Sequence, residues 1–185
     1  MFDSGIEQAV RAATLAHAKQ LRKGSDLPYI THPVHVAVIL SRVGAASAVV
    51  QAGLLHDVVE DCDDWSAERV ANEFGDEVAR IVAEVTEDKE KTWEQRKEAA
   101  AEKAATISPE GALVKAADQL HNLRTLCDSL AATEDPDEVW GRFNGGRERT
   151  IEMSKRLLEA LTGRVDSRIT DASRETLAAI CGETA

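Results

Sequence analysis

Apolar side chains recur every three to four residues along most of the chain, which is the period of a helix buried on one side. Gly and Pro mark breaks between these periodic segments. The pattern therefore predicts an all-α fold of roughly eight to ten helices. The predicted helices run from Ser4 or Gly5 to about Arg22, from Thr31 or His32 to before Gly44, over 45–55 and on into 56–61, over 67–74, 76–84, 94–105 and 112–126, from after Arg147 to about Leu161, and over 173–180, with a turn at 108–111.

Composition narrows the fold and the class of ligand. Hydrophobic residues make up 43% of the 185 positions but aromatic residues only 4%, so Ala, Leu, Val and Ile must build a core large enough for one domain. The net charge of -11 argues against a general nucleic-acid binder, because phosphate backbones need clustered Lys and Arg. A small phosphorylated ligand, which needs only a local basic patch, stays compatible with this charge.

Three widely spaced cysteines without a CxxC spacing support neither a zinc ribbon nor a disulfide framework. The N-terminus lacks the basic start and apolar run of a signal peptide, and no apolar stretch approaches the roughly 20 residues that span a bilayer. These observations predict a reduced, cytoplasmic protein without a membrane segment.

The segment from His56 to Asp61 concentrates chemically active side chains. One imidazole and three carboxylates occupy six consecutive positions, and the predicted helix places His56 above Glu60 and Asp57 above Asp61. Apolar neighbours bury this helix, so its acids need a compensating positive charge, for which a divalent metal is suitable. The alternative is a solvated acidic helix end, which is the commoner setting of a bare His-Asp pair.

Two other helices add candidate ligands. Asp118 lies in an apolar helix and shares a face with Asn122, so it needs either a salt-bridged Arg or a metal as its partner. His32 stands at a helix start, where a histidine is commonly only a capping or surface residue. With His56 and Asp57, these residues give two imidazoles and two carboxylates, a set suited to Mn²⁺ with Fe²⁺ or Zn²⁺ as competitors. Such a set is consistent with metal-activated hydrolysis.

These segments, in this order, resemble the HD phosphohydrolase superfamily. The resemblance extends over about residues 5–160 and is closer to the hydrolase domain of RelA/SpoT-type enzymes and to the stand-alone small alarmone hydrolases. The matching segments are Arg22-Lys23, Pro28-Tyr29-Ile30-Thr31-His32-Pro33, His56-Asp57-Val58-Val59-Glu60-Asp61, Phe74-Gly75 and Lys115-Ala116-Ala117-Asp118-Gln119-Leu120-His121-Asn122-Leu123-Arg124.

The resemblance implies an HD-domain helical bundle that removes the 3′-pyrophosphate of guanosine tetra- and pentaphosphate (ppGpp and pppGpp). It implies a single domain over 1–185, with a core at about 5–160 and a C-terminal helical tail over 164–185. Glu60 and Asp61 match the family's catalytic acids, which would orient the attacking water or take its proton. The metal, Mn²⁺ or another divalent ion, would be held by His32, His56, Asp57 and Asp118.

The resemblance also implies nucleotide contacts. Arg22 and Lys23 match residues that contact the nucleotide, Tyr29 would line the same pocket, and Asn122 would meet the nucleoside or ribose. The substrate is therefore expected to be a small nucleotide, and the chain could form a homo-oligomer. Another nucleotide, such as an adenosine alarmone, a deoxynucleotide or the 2′-phosphate of NADPH, stays open as the substrate, as does a non-catalytic nucleotide sensor.

Several basic residues are assigned less specific roles. Arg96 and Lys97 could reach a ligand, but a solvated helix face is the favoured prediction. The stretch from Glu87-Asp88-Lys89 to Arg96-Lys97 also resembles the small alarmone hydrolases. Arg142 and Arg147 could bind phosphate or only support the fold. The remaining histidines match no ligand position and are predicted to be structural; they are His17, His35 and His121.

Overall fold

The computed structural model describes residues 2–183, so the ends of the predicted domain, Met1, Thr184 and Ala185, lie outside it. The described residues contain no strand, and their only β-type pairing is an isolated bridge between Leu21 and Pro28. The all-α prediction is confirmed, with ten helices of at least five residues and one single turn, α4. They are α1 (Ser4–Ala16), α2 (Thr31–Arg42), α3 (Ser47–Leu55), α4 (Val58–Asp61), α5 (Ala67–Phe74), α6 (Asp76–Val85), α7 (Trp93–Ala104), α8 (Pro109–Ala131), α9 (Pro136–Trp140), α10 (Gly146–Leu161) and α11 (Ser167–Cys181).

The first helix ends at Ala16, so the prediction that it reaches Arg22 is wrong. Beyond α1 the backbone folds back on itself: the N–H of Arg22 donates to the Leu27 carbonyl at 2.8 Å and that of Tyr29 to the Gln20 carbonyl at 2.9 Å. These pairings replace helical hydrogen bonds and so satisfy the backbone in a tight loop. The loop brings Arg22 and Tyr29 to the same place.

The predicted continuous helix through the acidic segment is interrupted. α3 ends at Leu55 and α4 begins at Val58, with His56 and Asp57 between them at ψ values of -30° and -8°. The N–H of Asp61 still donates to the Asp57 carbonyl at 2.8 Å, so one helical turn separates these two acids as predicted. The break lets the side chains on either side of it face different partners.

Two other boundaries differ from the sequence prediction. Ser108 caps α8 by accepting from the N–H of Gly111 at 3.0 Å, and Pro109 occupies the first turn, so residues 108–111 begin a helix rather than form a separate turn. Pro suits that position because the first-turn N–H groups have no helical acceptor. The last helix begins at Ser167, where Asp166 caps it, and is longer than predicted.

The long helix α8 connects all parts of the core. Its side chains belong to three buried apolar clusters: one with α1, α2, α3 and α6, a second with α9, α10 and α11, and a third with α10, α11 and the end of α7. α11 packs along α8 and against α10, so the predicted C-terminal tail contributes to the buried interior. The site residues of α8 are therefore held by a helix that is packed on several sides.

No helix among the described residues is both long and apolar enough to cross a membrane.

Packing behind the acidic segment should dominate stability. Leu55, the last residue of α3, is completely buried, whereas Leu15 on α1 is 77% exposed. We expect Leu55→Ala to lower the free energy of unfolding by about 2–5 kcal/mol, because it removes buried surface and leaves a cavity. Leu15→Ala should change it by no more than about 0.5 kcal/mol. Urea unfolding followed by circular dichroism measures both, and equal effects of the two substitutions would contradict this account of the core.

Candidate active site

Three of the predicted metal ligands meet where α2, the α3–α4 junction and α8 come together. His32, His56 and Asp118 each offer one ligand atom, and these atoms all lie within 4.8 Å of one another. Both imidazoles are buried, with exposures of 1% and 4%. Three segments far apart in sequence therefore form one compact polar centre within the apolar core.

The hydrogen bonds of the two imidazoles point their second nitrogens at this centre. His56 Nδ1 lies 2.8 Å from the Gly53 carbonyl, which only an N–H can satisfy, so its neutral form presents a lone pair at Nε2. His32 Nδ1 lies 2.7 Å from Nδ1 of His121. The Nε2 atoms of His32 and His56 face each other at 3.3 Å. Two imidazole nitrogens converging beside carboxylates are a donor set that fits a divalent transition metal.

Asp57 completes the predicted set. Its Oδ2 lies 3.0 Å from His56 Nε2 and 3.6 Å from His32 Nε2, and accepts the Tyr29 hydroxyl at 2.7 Å. Burial disfavours a charged His56, but the Asp57 carboxylate outweighs burial and raises the pKa of His56 to about 9. The carboxylates thus strongly favour positive charge at this point.

Asp118 uses its two oxygens differently. Oδ1 lies 3.2 Å from His32 Nε2 and accepts from Asn122 Nδ2 at 2.6 Å, while Oδ2 lies 3.4 Å from Lys115 Nζ. Burial opposes ionisation of Asp118, but Lys115 and the histidines hold its pKa well below the usual value. Its partner is therefore a lysine on the same helix, and Oδ1 faces the histidines.

The two predicted catalytic acids have separate partners. Glu60 Oε2 accepts from the N–H of Glu87 at 3.2 Å and Oε1 accepts from Arg96 at 3.2 Å, whereas Asp61 pairs with Lys89 at 2.7 Å. Burial, followed by the charge of Glu87, raises the pKa of Glu60. A carboxylate with a raised pKa is a better proton acceptor, which suits the role predicted for Glu60.

A cavity of about 490 Å³ opens beside Asp118. Its wall carries six Lys and Arg residues but only two acidic residues, in a chain with 22 basic and 33 acidic residues. A concentration of cations in an otherwise acidic protein attracts a polyanion. The charged residues of the wall are Arg22, Lys23, Arg96, Lys97, Lys115 and Arg142, with Glu87 and Asp118.

The predicted nucleotide-contacting residues all line this cavity. Arg22 donates to Asn122 Oδ1 at 3.0 Å, and its guanidinium lies 5.5 Å from the centre of the Tyr29 ring. Asn122 in turn bonds Asp118, so Arg22 is connected to the candidate metal centre through one amide. Lys23 Nζ lies 5.9 Å from the centre of the Phe143 ring. Phe143 belongs to a segment to which the sequence assigned no role.

The prediction that Arg96 and Lys97 lie on a solvated face is wrong, because both line the cavity. Glu87 explains their position: Lys97 pairs with it at 2.8 Å and Arg96 at 3.6 Å. Glu87, which lies between α6 and α7, was assigned no role of its own from the sequence, although its segment resembles the small alarmone hydrolases. Lys115 could have been found, because it precedes Asp118 by three positions and so shares its helix face.

Arg142 and Arg147, whose roles the sequence left open, lie in different surroundings. Arg142 lines the cavity and its guanidinium packs against Gly24, where an added side chain would force the guanidinium to shift. Arg147 is exposed and is not part of the cavity wall. His121 contacts His32 from outside the centre, and its ring centre lies 4.8 Å from that of His35 in a tilted arrangement, so its neighbours are other imidazoles.

Comparison with known proteins gives a consistent result. A family model described as HD domain matches residues 9–147. Guanosine-3′,5′-bis(diphosphate) 3′-pyrophosphohydrolase MESH1 of Xenopus tropicalis is 44% identical over 124 residues, covering 65% of this chain and 69% of that protein. The human MESH1 protein is 43% identical over 129 residues, covering 66% and 72%. A GTP pyrophosphokinase of Streptomyces coelicolor is 42% identical over 125 residues, which cover 65% of this chain but 14% of that enzyme.

A solved structure extends the likeness to the whole fold. It belongs to a metazoan SpoT orthologue described as hydrolysing ppGpp, with a TM-score of 0.83 and 30% sequence identity. The match covers 100% of this chain and 99% of that one.

Removing one candidate ligand should weaken metal binding. We expect Asp118→Asn to reduce the affinity for Mn²⁺ by at least about tenfold, because a neutral amide replaces a buried carboxylate oxygen that faces two imidazoles. Asp128→Asn, at an exposed position on the same helix, is the control and should leave the affinity unchanged. Calorimetric titration with Mn²⁺ measures both, and equal affinities in the two variants would remove Asp118 from the ligand set.

Proposed function

Because the chain belongs to the HD-domain superfamily, in its RelA/SpoT-type branch, we propose that it is a metal-dependent pyrophosphohydrolase that removes the 3′-pyrophosphate of ppGpp and pppGpp. The products are GDP or GTP and pyrophosphate. The observation that carries the proposal is the meeting of His32 and His56 with Asp118, which itself lines an electropositive cavity in a chain of net charge -11.

His32, His56, Asp57 and Asp118 are proposed to hold the metal, with Mn²⁺ as the resident ion and other divalent ions as substitutes. The bound ion would lower the pKa of a water molecule and offset negative charge on the phosphoryl oxygens. Tyr29 fixes Asp57 and Lys115 fixes Asp118, so both carboxylates are oriented before any ligand arrives.

Glu60 is proposed to take the proton of the attacking water. The water oxygen forms a bond to the phosphorus attached to the ribose O3′, and the bond between that phosphorus and O3′ breaks with its electron pair going to O3′. O3′ gains a proton, so one water molecule is consumed for each nucleotide and each pyrophosphate released. Asp61, held by Lys89, would orient the water from the next position along α4.

Arg22 and Lys23 are proposed to bind the nucleotide, through stacking on the guanine and contact with phosphate. Tyr29 and Asn122 would line the same pocket, with Asn122 on the ribose. A cytoplasmic location, which the free cysteines motivate, and a homo-oligomeric assembly are further proposals.

Turnover of ppGpp by the purified protein with Mn²⁺ tests the substrate. We expect release of GDP and pyrophosphate, resolved by ion-exchange chromatography, and its loss in Asp57→Ala. NADPH and an adenosine alarmone are run in parallel. Phosphate release from one of these but not from ppGpp would assign a different substrate. No product release from any of the three would favour a non-catalytic sensor.

The catalytic role of Glu60 can be tested separately from metal binding. We expect Glu60→Gln to lower kcat by about 10²–10⁴-fold, because an amide cannot accept the proton of the water, while Mn²⁺ affinity stays unchanged. Glu68→Gln, at an exposed position on α5, should alter neither quantity. Undiminished turnover in Glu60→Gln would rule out this carboxylate as the proton acceptor.

A further inference from the structure

Three cations on the cavity wall share one carboxylate. Lys97 Nζ lies 2.8 Å and Lys115 Nζ 3.5 Å from Glu87 Oε1, and Arg96 Nε lies 3.6 Å from Oε2. The Glu87 side chain is only 8% exposed. Glu87 alone cannot balance three cations, so this group, here called the Glu87 cluster, needs further negative charge close by.

The other acids nearby balance two of the three cations. Arg96 is also paired with Glu60 at 3.2 Å and Lys115 with Asp118 at 3.4 Å. Among the described residues, Lys97 has no carboxylate within ion-pair distance other than the shared Glu87. It is also the most exposed of the three, at 35%. Lys97 is therefore the member best placed to meet an anion in the cavity.

The position of the Glu87 cluster indicates which anion. Arg96 is bonded to Glu60, the proposed proton acceptor, and Lys115 to the Oδ2 atom of Asp118. Arg22 approaches the same carboxylate at Oδ1 through Asn122. The cluster thus lies directly beside the proposed reacting centre, separate from the Arg22 approach.

Only one phosphate of the substrate can lie so near the centre without reacting. In a nucleoside 3′-pyrophosphate, the terminal phosphate is one P–O–P bridge from the phosphorus that is attacked, whereas the 5′-phosphates lie across the ribose. Resting on the proposed function, we propose that Arg96, Lys97 and Lys115 form the subsite for this terminal phosphate, which departs as part of the pyrophosphate product.

This arrangement also accounts for Glu87. Without an anion in the cavity, three neighbouring cations would repel one another, and the buried carboxylate keeps them together. A phosphate group can then form charge-assisted hydrogen bonds with side chains that are already in place. Glu87 is a positioning residue in this scheme, and Lys97 is a direct phosphate contact.

Binding of the two products, measured separately, reports on the two ends of the cavity. Calorimetric titration with inorganic pyrophosphate, and separately with GDP, in matched Mn²⁺ buffer should show Lys97→Met binding pyrophosphate about tenfold more weakly, with GDP affinity unchanged. Lys97→Arg should recover most of the pyrophosphate affinity. Lys155→Met, at an exposed lysine on α10 that lines neither this cavity nor the hollow beside Glu87, should match wild type for both ligands.

Three results would overturn the proposal. Weaker GDP binding with unchanged pyrophosphate binding would place Lys97 at the 5′-phosphates, and equal loss for both ligands with a lower Tm would make its role structural. Unchanged binding of both would remove the subsite. Turnover of ppGpp is measured on the same preparations: its absence in wild type would refute the proposed function, whereas turnover with unaltered pyrophosphate affinity in Lys97→Met would refute only the subsite.

Discussion

Two partly buried carboxylates beside two buried imidazoles are the constraint on which the rest of the site depends. Asp57 and Asp118 sit beside the Nε2 atoms of His32 and His56 in a region that the core shields from water. Ionised groups in such a setting are costly unless positive charge compensates them. The raised pKa of His56 and the lowered pKa of Asp118 are both consequences of this demand. A divalent cation satisfies it while leaving the imidazoles neutral.

The helical core provides the rigidity that this constraint requires. α8 packs in three apolar clusters, so Asp118 and Lys115 project from a helix with little freedom to move. The hydrogen bond from His56 to the Gly53 carbonyl fixes the second imidazole on the opposite side, at the end of α3. Ligands held in this way need little reorganisation on binding, which favours both metal affinity and catalysis.

Charge is distributed in layers around the candidate metal centre. The carboxylates of the candidate ligands lie innermost. Lys115 contacts Asp118 and Arg96 contacts Glu60, and Glu87 also pairs with these two cations. The cavity consequently has an electropositive wall in a protein whose net charge is -11. Such a local field attracts a polyphosphate nucleotide without making the whole surface attractive to nucleic acid.

Sequence alone determined the helical class and the residues with ligand chemistry. Periodicity is a local property, and His56, Asp57 and Asp118 stand out because such side chains are rare within apolar helices, whereas His32 was assigned a ligand role through the family resemblance. Tertiary structure decided what lies beside them. Arg22 bonds Asn122, Arg96 pairs with Glu60, and Lys115 pairs with Glu87. These contacts join residues 28 to 100 positions apart in sequence, and their energies depend on burial and distance, which no local pattern encodes.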